Sequence, residues 1–490
     1  MSGIFLLVTV LLPIVGSLPA LLPWKQQKGI LWYLELIVCV TSLLVWGLLF
    51  NRPQEILQVV SFTGDLEIAL EMDGLSMVFS GLLATLWPLA MLYSFSYMKH
   101  EERAKSFFLF YTMTYGVTLG ISLAGNLLTM YFFYELLTLV TVPLVMHTQT
   151  VEAIYASRKY LYYSLGGAAF AFIGLIFIIV YGSSMDFVYG GVLDLAKVGD
   201  RADTLLLIYV IAFCGFGVKA AIYPFHGWLS RASVAHTPVT ALLHAVAVVK
   251  SGAFAIIRMT YYSFGTDFLR GTWAQTVVMI LAIVSILYGS SRAVKERHVK
   301  RRLAYSTTGN LSYILFGVTM MTPLGLLGAL CHMVFHAVMK IGSFFCIGAV
   351  MHGTGRSYVY EMDGLAGKMP KVFACFTVTA LGLMGVPGLA GFISKWQLAS
   401  AAIDSGRPLA FVGVGALLVS ALLTAIYMLT IVIRAYFPGK DFDESTLQGI
   451  QDADVLMWIP LVLFAIGTMV LGLHSQPLVA FLRDVASGLF

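Results

Sequence analysis

Apolar residues run in stretches of about twenty along the whole chain, and only short polar loops interrupt them. About twenty apolar residues in a helix match the hydrocarbon thickness of a bilayer, so each stretch is predicted to be a transmembrane helix. Fourteen are set off, near 3–23, 30–50, 74–98, 106–124, 126–149, 160–182, 204–224, 238–262, 273–290, 303–321, 324–351, 371–400, 408–433 and 455–477. The first begins almost at Met1 without a basic stretch before it, which predicts a span and not a cleaved signal peptide. No long polar segment predicts a soluble domain or a flexible linker.

The loops differ in charge. Alternate loops hold 19 Lys and Arg residues, among them Lys25, Lys300, Arg301, Arg302 and Lys440, and the other set holds 6. Basic loops stay in the cytoplasm, so both termini are predicted to be extracytoplasmic in a multi-pass protein of the cell (inner) membrane. Five basic residues remain inside spans: Lys219, Lys250, Arg258, Lys340 and Lys395.

Composition agrees with this picture. Of 490 residues, 59% are hydrophobic and 11% charged, against about 25% charged in soluble domains. So little charge cannot cover a water-facing surface, which excludes a soluble enzyme, a nucleic-acid binder and a secreted disulfide scaffold. Cys39, Cys214, Cys331, Cys346 and Cys375 lie singly in apolar stretches, a pattern that suggests neither metal nor cofactor.

Two spans carry helix-breaking residues at mid-depth. The seventh runs into Pro224, and helix restarts at Pro238; the twelfth contains Pro387 and Gly388. Interrupted helices five spans apart suggest two five-helix repeats, and an odd repeat length must be inverted in the membrane. Simple packing kinks fit the same prolines. The expected fold is an all-α polytopic membrane protein of about 14 helices with two inverted five-helix repeats. Its units are 1–105 (first three helices), 106–262 and 263–433 (one repeat or half-channel each), and 434–490 (a loop and the last helix).

The buried charges carry the functional reading. A charge at the bilayer centre costs roughly 2.5–3.5 kcal/mol on insertion scales. Glu135 lies in the middle of the fifth span and Lys219 about a turn before Pro224. Lys250 lies halfway through the eighth span, and Lys395 just after the Pro387-Gly388 break. His332, His336 and Lys340 are spaced i, i+4, i+8, which makes one stripe about 12 Å long on a helix face. Arg258 and Glu35 lie near span ends, where snorkelling alone accounts for a charge, and are set aside. One carboxylate cannot neutralise four lysines, so some lysines must be neutral or hydrated, the state a proton carrier needs. Glu135 beside Lys219 would hold its proton; separating them leaves a cation in a poor dielectric and drives the proton on, through water and histidines, toward Lys250 and Lys395.

Several motifs resemble the antiporter-like membrane subunits: Asp73-Gly-Leu-Ser, Phe133-Tyr-Glu135-Leu, Lys219-Ala-Ala-Ile-Tyr-Pro224-Phe-His226-Gly-Trp228 and Thr237-Pro-Val-Thr-Ala-Leu-Leu-His244. The basic run Lys300-Arg301-Arg302-Leu-Ala-Tyr-Ser306, the stripe His332–Lys340 and Gly388-Leu-Ala-Gly-Phe-Ile-Ser-Lys395 do so too. That family includes proton-pumping subunits of respiratory complex I, subunits of Mrp sodium/proton antiporters and membrane arms of energy-converting hydrogenases. The resemblance covers roughly residues 70–400. It implies two half-channels joined by a polar axis, with Glu135 and Lys219 as the ion pair of the first, Lys250 as central relay and Lys395 as terminal lysine of the second. It also implies relay or access roles for His226, His244, His332 and His336, with Lys340 a further relay member. Lys395 stands where one complex I subtype carries glutamate, as in lysine-bearing subtypes such as the Mrp D-type subunit. Asn310 replaces a common histidine or glutamine, and Ser230 and His236 replace a common proline.

The expected function is therefore proton translocation, with sodium/proton exchange open, in a subunit without a redox centre of its own. The expected partners are the lipid bilayer, other membrane subunits and a redox module such as a hydrogenase or dehydrogenase; no nucleic acid is expected. The alternative is a passive membrane scaffold or a quinone-site subunit of a redox complex. A haem enzyme would need histidines facing one another across helices, which His332 and His336 on one helix face do not supply.

Overall fold

The computed structural model describes residues 2–22, 27–52, 55–64, 66–439 and 442–489. Met1, Lys25, Lys440 and Phe490, on which part of the orientation rests, lie outside the described residues. Six helices open the chain: α1 (Ser2–Ser17), α2 (Gln27–Asn51), α3 (Gly74–Tyr97), α4 (Ala104–Ser122), α5 (Leu127–Val145) and α6 (Val151–Tyr181). A one-turn helix α7 (Leu195–Val198) leads to α8 (Ala202–Lys219), α9 (Gly227–Ala232), α10 (Thr237–Ala245) and α11 (Val248–Ile257), which continues as a π-helix over Arg258–Phe264. A second short helix α12 (Thr266–Leu269) precedes α13 (Trp273–Lys295), α14 (Val299–Thr319) and α15 (Pro323–Thr354). The last five are α16 (Pro370–Met384), α17 (Ala390–Asp404), α18 (Pro408–Tyr436), α19 (Val455–Leu473) and α20 (Gln476–Ala486).

Each predicted stretch overlaps at least one of these helices. Eleven helical runs among the described residues are long and apolar enough to cross a membrane. α16 and α17 are separately too short, and α14 opens on Lys300-Arg301-Arg302. Helix starts follow local chemistry: Asp73, Asn126, Thr150, Thr272 and Thr322 each accept a hydrogen bond from a backbone N–H in the first turn, satisfying a donor the helix itself leaves orphaned.

Outer helices present apolar side chains outward: Leu43, Phe50, Leu418 and Leu422 are all exposed. Lipid solvates such a surface, and water would not. The interior holds α10–α11 and α15, which are almost wholly buried. Those helices carry Lys250, His332, His336 and Lys340, so the charged stripe lies in the protein core and away from lipid.

Three features depart from the sequence reading. The segment between α2 and α3, read as a loop, forms an antiparallel hairpin of β1 (Leu57–Ser61) on β2 (Glu67–Leu70), with Leu57 opposite Leu70. The eighth span, read as continuous, is interrupted between α10 and α11 at Val246 and Ala247. No Gly or Pro marks that break, which lies four residues before Lys250. The short helix α20 follows the last predicted span.

Candidate functional site

The first predicted break falls where the proline pattern puts it. α8 ends on Lys219 itself, Pro224 lies in the turn that follows, and Pro238 occupies the first turn of α10, where a missing N–H is harmless. α11 crosses the end of α8 closely at Gly252: a Cβ there would lie 2.9 Å from the Lys219 carbonyl carbon and 3.1 Å from its Cβ. Lys219 is fully buried. Its ammonium donates to the backbone carbonyl of Tyr134 on α5 and sits 3.4 Å from the centre of the Tyr134 ring. Glu135 is next in sequence, but no ion pair within 4.0 Å joins it to Lys219 among the described residues; the ammonium has chosen the neighbouring carbonyl and π-face. One carboxylate oxygen of Glu135 is buried without a hydrogen-bond partner. The two charges nevertheless act on each other across this short gap.

The centre is a contact between Lys250 Nζ and His336 Nδ1 at 2.7 Å, with both residues 0% exposed. His336 stacks on His332 with ring centres 5.6 Å apart, as i, i+4 spacing demands. His332 Nδ1 meets Ser394 Oγ at 2.9 Å, one residue before Lys395. The Tyr313 ring lies 5.0 Å from His332 and 5.6 Å from the Lys395 ammonium. A polar line thus runs Lys250, His336, His332, Ser394 and Tyr313, Lys395.

Lys395 answers the second break. α16 ends at Met384 and α17 begins at Ala390, with Pro387 and Gly388 between. Lys395 reaches back from α17 and donates to the carbonyls of Leu383 and Met384, each at 2.8 Å. Those carbonyls belong to the end of α16, where the helix leaves acceptors unpaired and its dipole favours a cation. Gly385 ends α16 at φ +91°, and a Cβ there would come within 3.0 Å of Lys395 Cδ. A glycine is needed on both counts.

Lys340, fully buried, donates to Ser306 Oγ at 2.7 Å and to the Leu303 carbonyl at 3.3 Å, both on α14. Ser306 in turn meets Tyr427 Oη at 2.6 Å. Asn310 donates to the Ser306 carbonyl at 2.8 Å and holds this side of the line. His244 is fully buried against Phe344, and neither ring nitrogen makes a hydrogen bond of ordinary geometry. His226 packs between Tyr223 and Tyr288, with ring centres 5.7 and 4.5 Å away, and does not join the line.

Sequence reasoning missed several groups. Arg258 does not snorkel: it is 1% exposed and pairs bidentately with Asp73, the cap of α3, while donating to Ser76 Oγ at 2.9 Å. Burial alone would raise the Asp73 carboxyl, but the Arg258 charge overcomes it and holds the group below its ordinary range. Nearby Glu71 is pushed up to about 7 by burial and by the charges of Asp73 and Asp186. Glu35 does not snorkel either; it is buried beside Cys39, with one oxygen unpartnered. Lys300 and Arg302, counted as loop charges, are each 6% exposed. Lys300 donates to the Ala235 carbonyl at 2.8 Å and Arg302 to the Tyr427 carbonyl at 2.9 Å. Beside the first break, His147 and His236 face each other with ring centres 5.5 Å apart, and Glu101 lies 3.8 Å from His236. Burial pushes both histidines down to about 4, aided by each other's charge at His147 and by Lys300 at His236.

Comparisons with known proteins bear on the family and the fold. A family described as NADH:quinone oxidoreductase/Mrp antiporter, TM, matches residues 124–428. The N-terminal region of NADH-ubiquinone oxidoreductase (complex I) chain 5 matches residues 60–108. The chain is 31% identical over 405 residues to NADH-quinone oxidoreductase subunit N of Desulforudis audaxviator, covering 80% of this chain and 79% of that one. It is 30% identical over 383 residues to NAD(P)H-quinone oxidoreductase chain 4 1 of a Synechococcus species, covering 76% and 70%. In fold it matches a chain of the membrane-bound sulfane sulfur reductase, an archaeal respiratory membrane complex, at TM-score 0.84 and 20% identity over 99% of this chain and 97% of that one. It matches a chain of the Mrp complex from a Dietzia species at TM-score 0.83 and 20% identity, over 100% and 97%. A polytopic helical chain with these motifs, and with this extent of likeness, belongs to the family of antiporter-like membrane subunits shared by NADH:quinone oxidoreductases and Mrp antiporters.

Proposed function

We propose that the chain moves protons across the membrane along the line of Glu135, Lys219, Lys250, His336, His332 and Lys395, as one subunit of a larger complex. The observation that carries this reading is the 2.7 Å contact of Lys250 with His336 in a fully buried setting. One proton serves the two nitrogens: a charged lysine donates to Nδ1, and a neutral one accepts from it. Stored charge is unfavourable at that depth, so the proton passes toward whichever end offers a partner. At the second end the partner is the pair of α16 carbonyls around Lys395; at the first it is Glu135 with the Tyr134 carbonyl. His244 and Lys340 form a side branch through Ser306.

In this reading residues 106–262 and 263–433 are the two inverted five-helix half-channels, framed by 1–105 and 434–490 in a fourteen-span inner-membrane protein. Support comes from the two proline-marked breaks, one in each unit. The basic loops would face the cytoplasm, and the termini the outside. The chain would be driven by, or drive, neighbouring membrane subunits joined to a redox module. Sodium/proton exchange uses the same line with Glu135 as the only central carboxylate, and a sodium ion wants several oxygen ligands.

The test is ion flux in vesicles holding the assembled complex, wild type against Glu135→Ala, Lys219→Ala and Lys395→Ala. Each variant should lose most flux while the complex stays assembled. Wild-type flux in all three would leave the chain as a scaffold.

A further inference from the structure

A cavity of about 530 Å³, which the line above does not use, opens among the basic loops between α6, α9, α13, α14 and α15. Arg231, Arg292 and Arg301 stand exposed on its wall, with Glu152 and Glu296 as the acidic members. Lys300 also lines it, and it alone of the charged lining residues is buried. Its ammonium is held by the Ala235 carbonyl, and no carboxylate lies within 4.0 Å of it among the described residues. Tyr155, His298 and Tyr305 complete the titratable lining, and His236 lies beside Ala235.

His244 is a fully buried titratable group near Lys300. It lies within electrostatic reach of both Lys300 and Lys340, and neither ring nitrogen makes a hydrogen bond of ordinary geometry. Lys340 is anchored on the same helix as Lys300, by the Leu303 carbonyl one turn on and by Ser306. A cavity, a buried amine on its wall, and a buried imidazole that feels the charges of that amine and of Lys340 are therefore brought together.

We propose that Lys300 is the proton acceptor of a cytoplasmic uptake port, taking protons from water in this cavity and handing them through His244 to Lys340. The proposal rests on the proton-relay reading above. Neutral Lys300 takes a proton from a hydronium in the cavity and leaves water behind. The ammonium then gives a proton to one nitrogen of His244, whose other nitrogen passes one to the neutral Lys340 amine; only N–H bonds form and break, and no electrons move. The cationic wall suits protons, which travel along hydrogen-bonded water, and repels a sodium ion that must come bodily.

Proton flux in vesicles holding the assembled complex tests this, read with an internal pH dye. Lys300→Arg keeps the charge and the bond to Ala235 but cannot release a proton. It should lose flux on the order of 100-fold, as should Lys300→Ala, while Lys300→His recovers part of it. Wild-type flux in Lys300→Arg would show the cation to be structural and overturn the port. Lys250→Ala is run beside it: flux lost there but kept in Lys300→Arg removes the port alone, and flux kept in Lys250→Ala removes the relay and the port together. Because Lys300 variants can fail to assemble, a second test leaves that residue native. Ser230→Cys on the cavity wall, modified by a bulky charged thiosulfonate, should block flux by a similar factor; unchanged flux after complete modification would overturn the proposal.

Discussion

The two interrupted helices solve the same problem in opposite ways. In the first half the cation, Lys219, is the last residue of the helix that breaks, and it turns away to the Tyr134 carbonyl and ring on α5, beside Glu135. In the second half the cation, Lys395, comes from the helix after the break and closes the open end of the helix before it. One site has a carboxylate at hand; the other replaces it with two carbonyls and a helix dipole. The difference teaches that a buried lysine needs no counter-ion if a broken helix supplies acceptors. It also makes the second site a fixed cradle and leaves the first dependent on whether Glu135 is charged.

Breaking the bridge between the halves should have the largest effect. Lys250→Ala removes the group hydrogen-bonded to His336 and is expected to lower proton flux by about 100-fold or more, the scale of losing a positioned acid–base group. Lys250→Arg should do the same, because a guanidinium keeps its proton. Flux in vesicles, with assembly checked by co-purification, decides this; wild-type flux in either variant would remove the relay that joins the halves.

The next effect separates the halves by stability. Arg258 of the first half forms a largely buried ion pair with Asp73 of α3, the arginine 1% and the aspartate side chain 13% exposed, and the second half has no such pair among the described residues. Arg258→Leu strands the Asp73 carboxylate and should destabilise the protein by about 3–5 kcal/mol. Removing both partners with Asp73→Asn and Arg258→Leu together should recover part of that loss. Thermal unfolding of the purified complex measures both.

The same pair shows what the sequence could and could not reveal. Lys219, Lys250, Lys340 and Lys395 are legible because a charge in an apolar stretch stands out, and His332, His336 and Lys340 because i, i+4, i+8 fixes their face. The partner of Arg258 is 185 residues away, and both lie at span ends, where a snorkelling side chain gives the same pattern. Lys300 was hidden for a related reason: counting loop charges treats every basic residue near a span end alike, and only packing shows that this one is buried. The interruption at Val246 has no Gly or Pro signal and arises from tertiary packing. Proline and glycine marked the other two breaks, but not that Lys395 would cap one of them.

Between those effects and the smallest lies Glu135. Glu135→Gln leaves the size of the side chain and removes the charge, so it should slow flux roughly 10-fold by weakening the hold on a proton at Lys219, without touching the second cradle. Lys395→Met should hurt more than Glu135→Gln if the fixed cradle is the stricter of the two sites. The reverse order in one flux assay would invert the comparison.

Loop titration gives a smaller, signed effect. His147 and His236, beside the first break, have native values near 4 against an ordinary value near 6.5. Between those values the unfolded chain binds more protons, so their contribution to stability is lost as pH falls from about 6.5 to about 4. Glu71, raised to about 7, has the opposite sign: between its ordinary value and 7 the folded form binds more protons, and its contribution is lost as pH rises. The wild-type slope is therefore a difference. His147→Phe with His236→Phe should remove the acid-side loss, on the order of 1–2 kcal/mol at pH 4.5 relative to pH 7. Unfolding midpoints at the two pH values read it; an unchanged slope would show that the pair titrates freely.

The smallest effect sharpens the comparison most narrowly. Gly385→Ala changes one methyl group in the second break and nothing in the first. Its φ of +91° is unfavourable for any residue with a Cβ, and the added carbon would sit 3.0 Å from Lys395 Cδ, so the lysine must shift by a few tenths of an ångström. The backbone term alone is about 1 kcal/mol or somewhat more. If Lys395 works from a fixed cradle, a shift that small already lengthens its bonds to Leu383 and Met384, and flux should fall several-fold while the unfolding midpoint moves by only a few degrees. A variant with the stability loss but unchanged flux would mean that Lys395 tolerates displacement as Lys219 does, and the contrast between a rigid and an adaptable site would disappear.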